Sequence, residues 1–158
     1  MAKAANPIPE GFHTVTPALA LDNAAQTIEW YKKAFGAEEV SRNLGPDGKI
    51  MHAELKIGNS RLMVSDVMEG MKGPKAFGGS PIALWLYVEN SDALFNRAVG
   101  AGANVQMPMA DQFWGDRAGA VADPAGYTWW IGTRKETLTS AEINKRAEEF
   151  VKQMAQSR

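Results

Sequence analysis

Two short stretches of this chain fix its ground plan. Leu19-Ala20-Leu21-Asp22-Asn23 and Leu86-Tyr87-Val88-Glu89-Asn90 stand 67 positions apart, and each closes an apolar run and opens a helix. Asn23 with Gln26, and Asn90 or Ser91 in the second stretch, supply helix-starting side chains, and Gly36 and Gly102 supply the stops. A chain that repeats at this interval predicts two copies of one supersecondary unit.

The spacing of Ala24, Ile28, Tyr31 and Phe35 predicts a first helix over 24–35, with Glu29, Lys32 and Lys33 outside the stripe. Leu94, Ala98 and Ala101 predict a second from Ser91 to about Ala101. Three strand-like runs follow each helix: Glu39–Leu44, Lys49–Ile57 and Arg61–Asp66, then Asn104–Met109, Arg117–Ala122 and Tyr127–Thr133. Pro46-Asp47-Gly48, Gly58-Asn59 and Asp123-Pro124-Ala125-Gly126 separate them with a preset proline φ or a glycine able to take positive φ. Each half therefore reads βαβββ, an α+β fold of tandem modules. Near the end, Thr139 with Glu142 makes a capping box before an apolar face of Ile143, Ala147, Phe150, Val151 and Met154. That predicts a C-terminal helix covering a sheet or a dimer seam. The organisation reads as an extension over 1–11, a first module over 12–68, a linker over 69–80, a second module over 81–133 and a helical tail over 134–158.

Composition removes several function classes. With 45% apolar and 22% charged residues in 158, the chain is that of a folded domain, and no apolar run reaches the ~20 residues a bilayer span needs. Met1–Glu10 lacks the apolar core of a secretory leader. The absence of cysteine removes disulfides and thiolate metal sites, and fits a reducing compartment. Seventeen bases against eighteen acids leave a net charge of −1, too little to recruit nucleic acid or an anionic membrane. The expectation is a cytoplasmic protein whose partner is a small molecule.

Strand alternation assigns faces. In Ile82–Val88, the aliphatic Ile82, Leu84, Leu86 and Val88 suit a helix layer, which leaves Ala83, Trp85 and Tyr87 on the opposite face. By the repeat, Thr16, Ala18 and Ala20 share that opposite face in the first module, with Pro17, Leu19 and Leu21 under the helix. Met51, Ala53, Leu55 and Ile57 go under the helix and His52, Glu54 and Lys56 go opposite. Likewise Arg61, Met63 and Ser65 lie opposite Leu62 and Val64, Met63 corresponds to Trp130, and Trp129 packs under the helix. Extending the offset pairs His52 with Gly119 and Ile50 with Arg117, which suggests an Arg117 on the opposite face.

Val15-Thr16-Pro17, Trp30-Tyr31-Lys32-Lys33-Ala34-Phe35-Gly36-Ala37, Met51-His52-Ala53-Glu54-Leu55 and Phe113-Trp114-Gly115-Asp116-Arg117, in this order and ahead of Asp123-Pro124-Ala125-Gly126, resemble the PhnB-like branch of the vicinal oxygen chelate superfamily, which includes glyoxalases, bleomycin-resistance proteins and dihydroxybiphenyl dioxygenases. The resemblance covers about residues 12–133 and extends to the charged helical tail. It implies a barrel-like cleft formed by the paired modules, and a homodimer. Metal-dependent members place His, Gln or Glu ligands at positions that fall near Thr16, Met63, Ala83 and Trp130, where this chain offers none. No metal and no other cofactor is therefore expected, and the two remaining donors, His52 and Glu54, are fewer than the three protein ligands a catalytic divalent site usually has.

Two readings of function follow. The first is a metal-free protein that binds a planar or aromatic ligand through Arg61, Met63, Trp85, Tyr87, Trp114, Arg117 and Trp130. The rings can equally be core packing, and Asp116-Arg117 is read first as a local ion pair. The second is a lyase, isomerase or dioxygenase with His52 and Glu54 as catalytic groups, either around a metal or as a metal-free acid and base.

Overall fold

In the computed structural model, which describes residues 2–157, the first module runs β1 (Ala18–Leu21), α1 (Ala24–Phe35), β2 (Glu38–Leu44), β3 (Ile50–Ile57) and β4 (Ser60–Asp66). The second runs β5 (Ala83–Tyr87), α2 (Ser91–Gly100), β6 (Asn104–Asp111), β7 (Asp116–Ala122) and β8 (Thr128–Arg134), followed by α3 (Ser140–Gln156). A 3-10 turn, Pro74–Phe77, lies in the connection between them. The fold is α+β, with two four-stranded sheets ordered β1-β4-β3-β2 and β5-β8-β7-β6. In each the first strand runs parallel to the last and the other pairs are antiparallel. The parallel pair requires a crossover, which the helix provides. By internal contacts the chain divides into one unit through Ser80 with Pro124–Gly126, and another of Pro81–Asp123 with Tyr127 onward.

Both helices begin on an asparagine cap: the Asn23 side chain accepts from the Gln26 N–H, and that of Asn90 from the Ala93 N–H. Their first N–H groups are taken by the last strand. Asp66 Oδ1 accepts from Ala24 N at 2.8 Å, and Thr133 Oγ1, 67 positions on, accepts from Ser91 N at 2.9 Å. Each side chain holds a second element with its remaining capacity. Asp66 Oδ2 accepts from Ile50 N at 2.7 Å, whereas the Thr133 hydroxyl donates to the Val88 carbonyl at 2.7 Å. α1 ends on Gly36 at φ 68°, a left-handed cap that glycine adopts at no steric cost.

The repeat holds through the first and last strands of each module: Ala18 pairs with Met63 as Trp85 pairs with Trp130. It slips by one residue in the third strand of each module, where Ala53 lies opposite Val64 and Gly119 opposite Ile131. The counterpart of His52 is thus Ala118 instead of Gly119, and the placement of Arg117 on the face away from the helix is corrected below.

Beneath α1, Leu19, Leu21, Ala53, Leu55, Leu62 and Val64 pack with Ile28 and Tyr31 in a core shielded from water. Met51 does not join them. A register shift between Asn43 and Leu44 sets Leu44 opposite Ile50, so Ile50 takes the buried side and Met51 is exposed. Ile82 is also exposed, because β5 begins one residue later. In α2 the buried stripe is Ser91, Phe95 and Ala98, in place of one through Leu94 and Ala101. Phe95 can approach the sheet because Gly119 has no side chain: a Cβ there would stand 2.9 Å from Phe95 Cε2 and from Met109 Sδ. α3 carries the expected Thr139–Glu142 capping box but no buried residue, so it does not cover a sheet within the chain. Phe150 touches Phe113, with ring centroids 5.5 Å apart.

Removing Asp66 leaves two backbone donors without their acceptor, each costing about 1–3 kcal/mol if part-buried. Asp66→Ala should therefore lower urea-denaturation stability by roughly 2–4 kcal/mol, and a loss below about 0.5 kcal/mol would show that the latch contributes nothing. Gly119→Ala forces Phe95 and Met109 aside, with an expected cost of about 1–3 kcal/mol in the same measurement; unchanged stability would mean that the helix is free to move off the sheet.

Candidate functional site

In the second module, the aromatic part of the sheet face away from α2 is built from the alternate residues of three of its four strands. Trp85 and Tyr87 come from β5, Trp130 and Gly132 from β8, and Ala118 and Ala120 from β7. The β7 residues and Gly132 have no bulk, and this decides the outcome. A Cβ at Gly132 would already sit 3.4 Å from the Trp85 ring, 3.5 Å from Ala118 Cβ and 3.7 Å from the Tyr87 ring. Large rings can consequently lie across this floor. Trp85 stacks on Trp130, with centroids 4.9 Å apart and planes within 5°, and Tyr87 lies 5.7 Å from Trp85 at 22°. Trp85 keeps 40% of its surface exposed and Tyr87 64%.

Trp114 closes one side, edge-on to Trp85 at 6.3 Å and 70°. A tight turn puts it there: Gly115 N donates to the Gln112 carbonyl, and Gln112 N to the Asp116 carbonyl. Gly115 takes φ 97°, and a Cβ at that position would lie 3.1 Å from the Glu136 carbonyl oxygen, so a side chain there is strained on both counts.

Asp116, buried at the start of β7, holds the two rims together. Its Oδ2 accepts from Tyr87 Oη and from Trp114 Nε1, both at 2.8 Å. These donors meet one oxygen of the carboxylate and so lower the cost of burying it. The same hydrogen bond from Tyr87, aided by burial and the carboxylate's charge, holds the phenol above its usual ionisation range, an effect the nearby Arg134 partly offsets. The expected ion pair between Asp116 and Arg117 is absent, because neighbouring residues of a strand point to opposite faces. Arg117 turns to the helix side, where Nε and Nη2 bond both oxygens of Asp92 on α2 at 2.7 and 2.9 Å, with Asp111 3.4 Å from Nη1. These partners hold its guanidinium firmly protonated, above the ordinary range. A cleft of about 430 Å³ beside it is lined by Asp111, Gln112, Gly115, Lys135 and Glu136 as well as Asp116 and Arg117.

The equivalent face of the first module has a different chemistry. His52, Glu54, Lys56, Arg61 and Met63 share it, with Glu54 directly opposite Met63 and Lys56 opposite Arg61. Arg61 Nη1 lies 3.0 Å from Glu54 Oε1, but at an angle that leaves this buried nitrogen without a hydrogen bond. The guanidinium also lies 5.8 Å from the Phe12 ring. His52 stands opposite Asn43 at the far side of the same strand.

The positions to which the family resemblance would assign a metal carry a hydroxyl at Thr16, a thioether at Met63, a methyl at Ala83 and an indole at Trp130. Such a donor set does not fit a divalent ion of the oxygen and nitrogen type. Among the described residues, no group of three or more His, Asp or Glu side chains could hold a metal ion, and no helix is long and apolar enough to cross a membrane. Two residues of this site were missed by sequence reasoning: Asp116 in its role as shared acceptor, and Gly132 as the floor. The Phe113-Trp114-Gly115-Asp116-Arg117 string contained the first, and strand parity alone separates Asp116 from Arg117.

Comparison with known proteins agrees with this architecture. The family model for the Glyoxalase/Bleomycin resistance protein/Dioxygenase superfamily matches residues 12–131. An uncharacterized protein of Mycobacterium bovis is 42% identical over 134 residues, covering 82% of this chain and 88% of its own. The crystal structure of TioX from Micromonospora sp. ML1 is similar with a TM-score of 0.62 at 27% identity, covering 80% of this chain and all of TioX. TnmS3, an antibiotic binding protein from Streptomyces sp. CB03234, shares the fold with a TM-score of 0.60 at 19% identity, over 79% of this chain and 96% of its own. Carried by the sequence match across most of its length and by the repeated βαβββ units, this chain belongs to the Glyoxalase/Bleomycin resistance protein/Dioxygenase superfamily.

Proposed function

We propose that this protein binds a planar aromatic small molecule on the open face of the second module's sheet, by stacking and without a metal. One observation carries the reading: Trp85, stacked on Trp130 and flanked by Tyr87 and Trp114, stays 40% exposed beside a floor of alanine and glycine. A cluster of exposed aromatic side chains suits a place where something else packs. A flat ligand laid on the rings gains both apolar burial and about 0.5–1.5 kcal/mol per stacked pair. TnmS3 offers a precedent for ligand capture on the same fold, and fold alone does not supply the ligand. Arg61 and Met63 remain candidates for ligand contact on the first module's polar face. The unburied apolar side of α3 suits a homodimer, the assembly proposed here for a protein of the cytoplasm.

The enzymatic reading through His52 and Glu54 has less support. Glu54 is already ion-paired with Arg61, which leaves its carboxylate less available as a base or a ligand.

Tryptophan fluorescence titrated with flat polycyclic compounds should show saturable quenching in the micromolar range. Trp130→Ala should weaken binding by about tenfold, the equivalent of one or two lost ring contacts. No saturable response to any compound across a broad panel would end this reading. Metal analysis separates the alternative: after equilibration with Zn²⁺ or Mn²⁺ and desalting, the protein should retain well under one ion per chain, and His52→Ala should bind the aromatic probe as the parent does. A stoichiometric ion that disappears in His52→Ala would instead make the first module a metal centre.

A further inference from the structure

Granting the aromatic face as a ligand site, we propose that its occupant is a planar organic cation, recognised by electron-rich ring faces whose rims are tied to Asp116. Aromatic faces carry negative quadrupole charge, and a cation within about 6 Å of a ring centroid is attracted to them. Tyr87 O–H and Trp114 N–H both donate to one carboxylate oxygen, so their hydrogens are directed away from a ligand and the rings are polarised toward greater electron density. The Tyr87 oxygen, having given its hydrogen to Asp116, offers a ligand only lone pairs. The other oxygen of Asp116 accepts no hydrogen bond from the described residues.

Among the described residues, no Lys or Arg side chain lies over Trp85, Tyr87, Trp114 or Trp130; Arg61 over Phe12 and Lys72 over Phe77 make such contacts in the other unit. The charged groups around this face are few. Arg134 is the cross-strand neighbour of Asp116, exposed at the strand end beyond Gly132, with Nε donating to the Glu136 carbonyl. The Glu136 carboxylate is taken by both Nη atoms of Arg146, and Arg117 points to the other side. An anion would therefore meet ring faces, phenolic lone pairs and a carboxylate, with Arg134 available only at the rim.

The full-length protein is titrated calorimetrically at low salt with N-methylquinolinium, quinoline and 2-naphthoate, which share a bicyclic ring area and carry positive, zero and negative charge. N-methylquinolinium should bind about tenfold more tightly than quinoline, and quinoline more tightly than 2-naphthoate. Tyr87→Phe keeps the ring and breaks the bond to Asp116, and should shrink the preference for the cation to about threefold; Arg134→Gln should leave the order unchanged. Equal affinity for N-methylquinolinium and quinoline overturns the charge assignment while the aromatic site stands. Tightest binding of 2-naphthoate, lost in Arg134→Gln, overturns it in favour of an anion read by the arginine. Absence of binding by all three probes, with dimers that dissociate on Trp85→Ala in sedimentation, gives this face to a second copy of the chain and overturns both readings. The comparison of probes on the unaltered protein decides the matter even if a variant does not fold.

Discussion

Each module depends on where its helix begins. A strand that returns parallel to its neighbour must cross over the sheet, and the crossing helix starts with backbone N–H groups that its own turns cannot satisfy. Here the last strand meets that need, through Asp66 in one module and Thr133 in the other. The carboxylate accepts twice and so ties helix and third strand together; the hydroxyl accepts once and donates once, and ties helix to first strand. Different chemistry at one repeated position solves the same problem. With its start fixed, the helix can cover only one face of the sheet, and the other face is left for something else.

What fills that second face is where the copies diverge. The first module places Glu54, Lys56 and Arg61 there, and Glu54 pairs with Arg61. The second places tryptophan and tyrosine over Ala118, Ala120 and Gly132. Small residues on the inner strand are as necessary as the rings, because a bulky floor would lift Trp85 away from the strand and break its parallel stacking on Trp130. Stability of the module comes from the helix side, so the open face is free to vary in chemistry without loss of the fold.

Much of this was legible in the sequence, and what was not has specific causes. Caps, glycine stops and the 67-residue repeat located the α-helices and strands to within a few residues, because these signals are local. Alternation also separated Trp85, Tyr87 and Trp130 from Leu84, Leu86 and Trp129. It failed at a bulge in the first module and where the offset between the modules changes by one residue. The shift beside Leu44 exchanges the roles of Ile50 and Met51, and the one-residue slip in β7 moves Arg117 to the helix side. A bulge changes parity without leaving a mark in composition. Phe95 was missed for a related reason: its place under the helix depends on a glycine in another strand.

Strand alternation in β7 also has a functional consequence. Because Asp116 and Arg117 are adjacent on a strand, a carboxylate and a guanidinium that would pair in a loop are sent to opposite faces. Arg117 fastens α2 through Asp92, while Asp116 fastens the rims of Tyr87 and Trp114. Had the two paired with each other, neither the helix nor the ring rims would have a charged anchor. Trp114, carried on a turn, would then have only ring contacts to hold its orientation against Trp85. The alternation of two adjacent residues thus divides a local ion pair into a structural anchor and an organiser of the aromatic surface.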